Sequence, residues 1–301
     1  MAADIGLRGI VTVLNTPFDA DGRIDFAALE RHAAYAVEAG VAGFLIPGFA
    51  AEVLALSLDE RRGMVRTVVG VARGRAAVVG GASAPTQEER CRNAEILAGL
   101  GCDIVLANLA FTSEAQYLDE IRGLAAASGR DLMIQDFDAN GPGVPIPAVA
   151  AAFEASPAFR YLKVETLDAG PKYTALKLAT QGRLHVSGGW AVMQLIEALD
   201  RKVDAFMPTG LHRAYIAIFS RYAAGDRDGA VRLFHRLLPI LAFSNQHLEH
   251  SIHFFKRLLW RQGIYPTPNL RAPAHAFDAH HQRIADELIE TAMKIEAELA
   301  G

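Results

Sequence analysis

Short apolar runs recur about every 20 to 35 residues along this chain, and each is followed by a stretch with helical periodicity. Continuous apolar runs of this length are typical of parallel strands buried on both faces, and a parallel strand needs a crossover, usually a helix. The alternation therefore predicts an α/β fold in which a parallel sheet closes into a (β/α)8 TIM barrel. The eight predicted strands are 9–14, 42–47, 75–80, 103–107, 131–135, 159–163, 183–187 and 203–207.

An open, doubly wound sheet is the structural alternative. Such a sheet usually carries a glycine-rich phosphate turn after its first strand, whereas residues 14–18 read LNTPF. Predicted helices at 59–72, 87–99 and 113–127 have possible N-caps in Asp59, Thr86 and Ser113, and Gln116 adds a weak capping box to the last. These start signals support the alternation of strand and helix.

Residues 226–300 show helical patterns and no strand. We predict helices from Asp226 to Phe243, from His247 to Gly263 and from Asp278 to Leu299, with Asp226 as an N-cap. No low-complexity linker precedes them. The predicted organisation is a barrel over 1–225 and a C-terminal helical extension over 226–301 that packs on the barrel as part of one structural unit.

Composition excludes several classes of partner. The chain has 301 residues, a net charge of −4 and two cysteines, Cys91 and Cys102, which is too few for a disulfide framework. This charge gives no electrostatic footprint for nucleic acid or for an anionic membrane. No run approaches 18 uninterrupted apolar residues, and residues 1–6 lack the basic start of a secretory signal. We expect a cytoplasmic soluble protein with no nucleic-acid or membrane partner.

Lys163 ends the sixth predicted strand, where an apolar core should end. Burial of an ammonium group is unfavourable, and a lysine held in a barrel mouth is biased towards the free amine, which attacks carbonyls to form a Schiff base. Active sites of (β/α)8 barrels lie at the C-terminal ends of the strands. The position predicts a Schiff-base nucleophile; a surface lysine at the start of a loop is the alternative.

Five motifs in order resemble those of a known family: residues 16–18 (TPF), 48–52 (GFAAE), 161–163 (YLK), 187–188 (SG) and 271–273 (RAP). The chain thereby resembles the dihydrodipicolinate synthase and N-acetylneuraminate lyase superfamily of class I aldolases, from about residue 8 to 275. The resemblance implies a homotetramer or homodimer, and an imine between Lys163 and the 2-carbonyl of pyruvate or another 2-oxo acid, without a further cofactor. It also implies that the loop after the second strand binds the substrate carboxylate.

The candidate substrate-binding residues lie at the ends of the predicted strands or in the loops that follow them. They are Thr16, Gly48, Phe49, Ala50, Asn108, Gly188, Trp190 and Met207.

The chain departs from the family pattern at the proton relay. Phe49 and Ala50 stand where small hydroxyl residues are usual, and Gln135 stands where a tyrosine is usual. A primary amide forms hydrogen bonds but does not titrate near neutral pH, so it cannot shuttle a proton. The loop 108–111 (NLAF) likewise lacks the usual tyrosines, and the loop 188–190 (GGW) lacks an acidic residue.

Two functional interpretations remain open. In the first, Glu165 and Asp136 take over proton transfer: Glu165 is two residues beyond Lys163 on the same strand face, and Asp136 adjoins Gln135. The protein would then be an aldolase or hydro-lyase for a more apolar 2-oxo acid, since Phe49 and Trp190 are predicted near the mouth. In the second, catalysis is impaired, and the barrel binds a 2-oxo acid or another small ligand without turnover.

A metal site is not expected. His247, His250 and His253 share one predicted helix, and three imidazoles near one face can bind zinc or nickel. Six residues of helix, however, separate the first and last of them by about 120° around the axis. Surface or interface histidines are the preferred interpretation.

Overall fold

A computed structural model describes residues 6–189, 192–271, 273 and 276–300. Eight parallel strands follow one another in chain order and form a closed barrel, so the predicted TIM barrel is confirmed. The strands are β1 (Gly9–Val13), β2 (Gly43–Ile46), β3 (Ala77–Gly81), β4 (Ile104–Asn108), β5 (Asp131–Asp138), β6 (Phe159–Thr166), β7 (His185–Gly188) and β8 (Ala205–Phe206).

Within the described ranges, α-helices alternate with the strands, and three more follow the barrel. The first eight are α1 (Phe26–Ala39), α2 (Leu58–Ala72), α3 (Gln87–Gly99), α4 (Glu114–Ser128), α5 (Ile146–Ala155), α6 (Ala169–Ala179), α7 (Leu195–Asp200) and α8 (His212–Ala223). The C-terminal helices are α9 (Arg227–Ser244), α10 (Leu248–Arg261) and α11 (Ala279–Glu298), each within two residues of its predicted bounds. In the described part of the chain, no helix has both the length and the apolar character needed to cross a bilayer.

Helix start signals were largely predictable. Thr86, Ser113 and Asp226 are N-caps, as predicted, and their side chains accept hydrogen bonds from backbone amides of α3, α4 and α9. Asp59 was wrongly assigned. The N-cap of α2 is Ser57, two residues earlier, because its hydroxyl and Glu60 form a reciprocal capping box, and the helix begins at Leu58.

Strands β5 and β6 run three residues further than predicted. They pair in an unbroken register from Met133 opposite Tyr161 to Asp138 opposite Thr166. Each predicted strand ends where its apolar run ends, whereas the backbone pairing of β5 with β6 continues through the more polar residues that follow. Lys163 is therefore the fifth residue of an eight-residue strand and not its last.

The described chain divides into two compact units. One comprises Met1–Arg8 and Ala77–Met207; because it contains Lys163, we call it the Lys163 unit. The other comprises Gly9–Ala76 and Pro208–Gly301, and we call it the Lys256 unit. The limits of these units differ from the predicted domain boundary at residue 225, and that boundary stays a prediction. The two units are described separately below.

Candidate active site

In the Lys163 unit, the strand register lines up four polar residues. Asn108 pairs with Gln135, Gln135 with Lys163, and Lys163 with Ser187, across strands β4 to β7. Paired residues of parallel strands lie about 4.8 Å apart and project from the same face of the sheet. The predicted nucleophile and the glutamine that replaces the family tyrosine are therefore direct neighbours.

Lys163 is buried and ion-paired. Its side chain is 6% exposed, and its Nζ lies 3.0 Å from Oε1 of Glu165, whose side chain is 10% exposed. Gln135 donates a hydrogen bond from Nε2 to the other oxygen, Oε2. The predicted positions Lys163, Glu165 and Gln135 thus form one contiguous group, in which the carboxylate stabilises the ammonium and the amide orients the carboxylate.

Gly189 gives this carboxylate its space. A Cβ atom on Gly189 would overlap the Glu165 carboxyl group, so a residue with a side chain at this position would displace Glu165. The Gly189 amide donates to the carbonyl of Val164, 3.3 Å away, which holds the loop after β7 against β6. The sequence showed a glycine pair here, but only the structure shows what the missing side chain accommodates.

Asp136 faces away from Lys163. Adjacent strand residues point to opposite faces, and Asp136 adjoins Gln135. Asp136 is 1% exposed, its Oδ2 lies 2.5 Å from Nζ of Lys172 on α6, and its Oδ1 accepts a bond from the Val144 amide at 2.9 Å. Burial raises the pKa of Asp136, and Lys172 opposes that shift. The geometry makes this carboxylate a partner of Lys172 and does not bring it to the Lys163 group.

The remaining candidates of this unit are tied to backbone groups. Asn108 donates from Nδ2 to the Gln135 carbonyl at 3.0 Å, and its own amide donates to Oγ of Ser83 at 3.0 Å. Gly188 and Met207 are buried, and the Met207 amide donates to the Gly188 carbonyl at 3.1 Å. Trp190 lies outside the described residues.

Four candidates belong to the Lys256 unit, where they form a loop and its support. Gly48, Phe49 and Ala50 belong to a short 3-10 turn and its cap after β2. Thr16 lies beyond β1, and its hydroxyl donates to the Ala51 carbonyl at 2.6 Å. At Gly48, a Cβ atom would come within 2.8 Å of Val13, so close packing of the loop on β1 requires glycine there.

The same loop ends at a second buried lysine–glutamate pair, which the sequence did not indicate. Glu52 Oε1 lies 2.6 Å from Nζ of Lys256 on α10, and Oε2 accepts the Arg271 amide at 2.7 Å. The Lys256 side chain is fully buried, with Nζ 4.2 Å from the centre of the Phe18 ring. Burial lowers the pKa of Lys256 to about 8, and Glu52 opposes the shift.

The histidine-rich helix α10 packs through its rings. His253 stacks on Phe277 with ring centres 4.6 Å apart, and His250 meets His281 edge to face at 5.1 Å. Within the described ranges, no three His, Cys, Asp or Glu side chains are grouped so as to hold a metal ion.

Sequence comparison gives matches along the whole chain. The model of the Dihydrodipicolinate synthetase family matches residues 6–114. The 4-hydroxy-tetrahydrodipicolinate synthase of Xanthomonas campestris pv. campestris is 27% identical over 299 residues, which cover 97% of each chain. The L-2-keto-3-deoxyarabonate dehydratase of Azospirillum brasilense is 24% identical, over 96% of this chain and 94% of that protein.

Solved structures share the fold. The 4-hydroxy-tetrahydrodipicolinate synthase from Methylacidiphilum fumariolicum SolV superposes with a TM-score of 0.86 at 18% identity, over 97% of this chain and 98% of that one. The N-acetylneuraminate lyase from Fusobacterium nucleatum superposes with a TM-score of 0.83 at 16% identity, over 97% and 99%. The family model and the sequence relatives show that the chain is similar to the dihydrodipicolinate synthase and N-acetylneuraminate lyase superfamily, and the solved structures show that it shares their fold.

Proposed function

We propose that this protein is a Schiff-base-forming lyase, an aldolase or hydro-lyase, that acts on pyruvate or another 2-oxo acid through Lys163. The observation that carries the proposal is the group that Lys163, Glu165 and Gln135 form on β5 and β6, in which Nζ of Lys163 lies 3.0 Å from a carboxylate that also accepts a hydrogen bond from Gln135. Similarity to the superfamily supports it, and so do the names of the relatives, a synthase and a dehydratase.

The first chemical step needs the free amine of Lys163. The Glu165 carboxylate is placed to accept a proton from the ammonium, after which the amine attacks the 2-carbonyl carbon. A C–N bond forms and the C–O bond breaks. The carbonyl oxygen leaves as water with one proton from the amine and the one that Glu165 returns, which leaves an iminium and the free Glu165 carboxylate. The resulting iminium accepts electrons, so that a proton can leave C3 or a bond at C3 can break. No cofactor beyond this imine is part of the proposal.

Glu165 is the proposed acid and base in place of the family tyrosine. A carboxylate freed from Lys163 by imine formation can take a proton at C3 and return it to a leaving group, as general acid–base catalysis requires. Gln135 keeps one carboxylate oxygen oriented without competing for the proton, because its amide does not titrate. Asp136, on the opposite strand face, has no assigned step.

Substrate binding follows the resemblance. In this proposal, the loop 48–52 binds the carboxylate of the 2-oxo acid, with Thr16 supporting the loop. The Ala51 and Glu52 amides take no part in this binding, because they donate to the Gly48 and Phe49 carbonyls inside the 3-10 turn. The more apolar substrate suggested by Phe49, and the homotetramer or homodimer, remain predictions.

Borohydride trapping tests the imine. Wild-type protein is incubated with pyruvate and a panel of 2-oxo acids, reduced, and read by intact and peptide mass spectrometry. We expect a reduced adduct on the peptide that contains Lys163, and none in Lys163→Ala, which should also lose turnover while keeping its fold by circular dichroism. Lys294→Ala, which removes an exposed lysine of α11, is the control and should give the wild-type adduct. Full activity in Lys163→Ala would exclude the mechanism.

A binding protein without turnover is the second candidate, and the non-titrating Gln135 favours it. In that case a 2-oxo acid should raise the melting temperature of wild type and of Lys163→Ala equally, with no adduct in either. A stabilisation that needs Lys163 would argue against this candidate.

A further inference from the structure

A chain of buried hydrogen bonds runs through the interior of the Lys256 unit. Nε2 of His212 lies 3.2 Å from Nε2 of His32, and Nδ1 of His32 lies 2.9 Å from the hydroxyl of Tyr265. That hydroxyl donates to the backbone carbonyl of Asn15 at 2.7 Å. His32 and His212 are fully buried and Tyr265 is 2% exposed, so all three side chains form their hydrogen bonds in the protein interior.

The direction of each hydrogen bond follows from the last one. The Tyr265 hydroxyl has one hydrogen, which goes to Asn15, so the hydroxyl must accept from a protonated Nδ1 of His32. Nε2 of neutral His32 is then an acceptor, and the hydrogen between the two rings belongs to Nε2 of His212. Burial supports the neutral forms, because it lowers the pKa of His32 far below its usual range and that of His212 to about 4.

This series of hydrogen bonds ends at Asn15, a residue that also holds the loop 48–52. Asn15 is fully buried and donates from Nδ2 to the Ala50 carbonyl at 2.8 Å, and its neighbour Thr16 donates to the Ala51 carbonyl at 2.6 Å. One asparagine thus receives the hydrogen bond from Tyr265 on its carbonyl and passes a hydrogen bond to the loop from its side chain. Groups from α1, α8 and the segment after α10 converge on this point.

We propose that Tyr265, His32 and His212 are positioning residues for the loop 48–52, and that they set the affinity for the substrate carboxylate. This inference rests on the proposed function, in which that loop binds the carboxylate. Uncharged residues whose hydrogen bonds each have one fixed donor can hold the loop in one position. Binding groups must be held within about 0.5 Å of their productive positions. If apolar side chains replaced these three residues, the buried carbonyl of Asn15 would lose its hydrogen-bond donor, the Tyr265 hydroxyl.

Tyr265→Phe removes the last hydrogen bond and keeps the ring. We expect faster amide hydrogen exchange over residues 48–52. We also expect a KM for the best-trapped 2-oxo acid raised about three- to tenfold, as for the loss of one hydrogen bond, with kcat and the Lys163 adduct unchanged. Tyr35→Phe is the matched control. It makes the same chemical change on the helix that carries His32, but its hydroxyl donates to Glu296 at 2.9 Å, and it should leave exchange and KM unchanged.

His212, at the other end of this series of hydrogen bonds, provides a second test. His212→Leu removes the donor to His32 and should act like Tyr265→Phe, whereas His212→Gln, which can still donate, should restore much of the wild-type KM. Lower stability in Tyr265→Phe with unchanged loop exchange and unchanged KM would overturn the inference and leave a purely structural chain. A wild type that forms no adduct would remove the proposed function, while the exchange experiment would still decide whether the chain holds the loop.

Discussion

Among the residues that the structure describes, two buried lysine–glutamate pairs look alike in distance and burial. In the Lys163 unit, Nζ of Lys163 lies 3.0 Å from Glu165, with side chains 6% and 10% exposed. In the Lys256 unit, Nζ of Lys256 lies 2.6 Å from Glu52, with side chains 0% and 8% exposed. Burial of an ammonium therefore does not by itself identify a nucleophile in this protein.

Their surroundings separate the two pairs. Glu52 also accepts the Arg271 amide, and Lys256 rests on the Phe18 ring, so this pair joins three distant parts of the chain. Lys163 and Glu165, by contrast, are two residues apart on one strand, and the further hydrogen bond to Glu165 comes from the uncharged Gln135. The comparison suggests that the first pair can exchange its partner for a substrate and that the second is an anchor.

The largest difference should appear in catalysis. Glu165→Gln retains hydrogen bonding but cannot transfer protons, so we expect kcat to fall by roughly 10²- to 10⁴-fold. Borohydride should still trap the imine on Lys163 but more slowly, because Glu165 also accepts the proton of the ammonium in the first step. Steady-state kinetics and peptide mass spectrometry measure both.

Asp136→Asn is the matched carboxylate control for that experiment. It disturbs the ion pair with Lys172 on the opposite strand face and should lower stability while leaving kcat within about threefold, a barrier change under 1 kcal/mol. Equal losses of kcat in the two variants would refute the assignment of Glu165.

For the free energy of unfolding, the Lys256–Glu52 pair should matter more than the Lys163–Glu165 pair, which is the reverse of the order expected for catalysis. Lys256→Met leaves Glu52 buried without its cation, and removal of one partner from a buried ion pair costs about 3–5 kcal/mol of unfolding free energy. Each glutamate keeps one further hydrogen bond, but Lys163 and Glu165 are neighbours on one strand and Lys256 and Glu52 are 204 residues apart, so Lys163→Met removes no tertiary link and should cost about 1–2 kcal/mol. Urea unfolding of both variants measures the difference; equal losses would erase the distinction between anchor and reactive pair.

Alkaline pH should produce a smaller effect confined to the anchor. The pKa of Lys256 is about 8 in the folded protein, against an ordinary value of 10.5. Between these values the unfolded chain binds more protons, so this lysine makes the unfolding free energy rise with pH. From pH 7.5 to 9.5 we expect a gain of about 2 kcal/mol relative to Lys256→Met, measured by urea unfolding. Lys163→Met should retain the gain, and its absence from wild type would contradict the assigned shift.

Most of the fold could be predicted because its signals are local. Each strand of the barrel contains an apolar run, and caps such as Thr86 act within their own helix turn. The ends of β5 and β6 were not predictable in this way, because the partner strand sustains pairing where the side chains become polar. Asp136 could have been placed correctly, since the alternation that puts Glu165 beside Lys163 also separates Asp136 from Gln135.

The long-range parts of the site had no sequence signal. Glu52 and Lys256 are 204 residues apart, and His32 is 180 residues from His212. Nothing in the local pattern distinguishes these residues from solvated charges or isolated histidines. Their pairing becomes visible only when separate parts of the chain meet in the folded unit.

The spacing of Lys163 and Glu165 has an evolutionary consequence. The proposed nucleophile and the proposed proton carrier occupy positions one and three of a single tripeptide, and their orienting amide lies on the adjacent strand. A relay built from distant tyrosines must be assembled by several independent substitutions. A pair encoded in three consecutive codons can instead be gained or lost with one short strand segment in a barrel that already has a glycine at the position of Gly189.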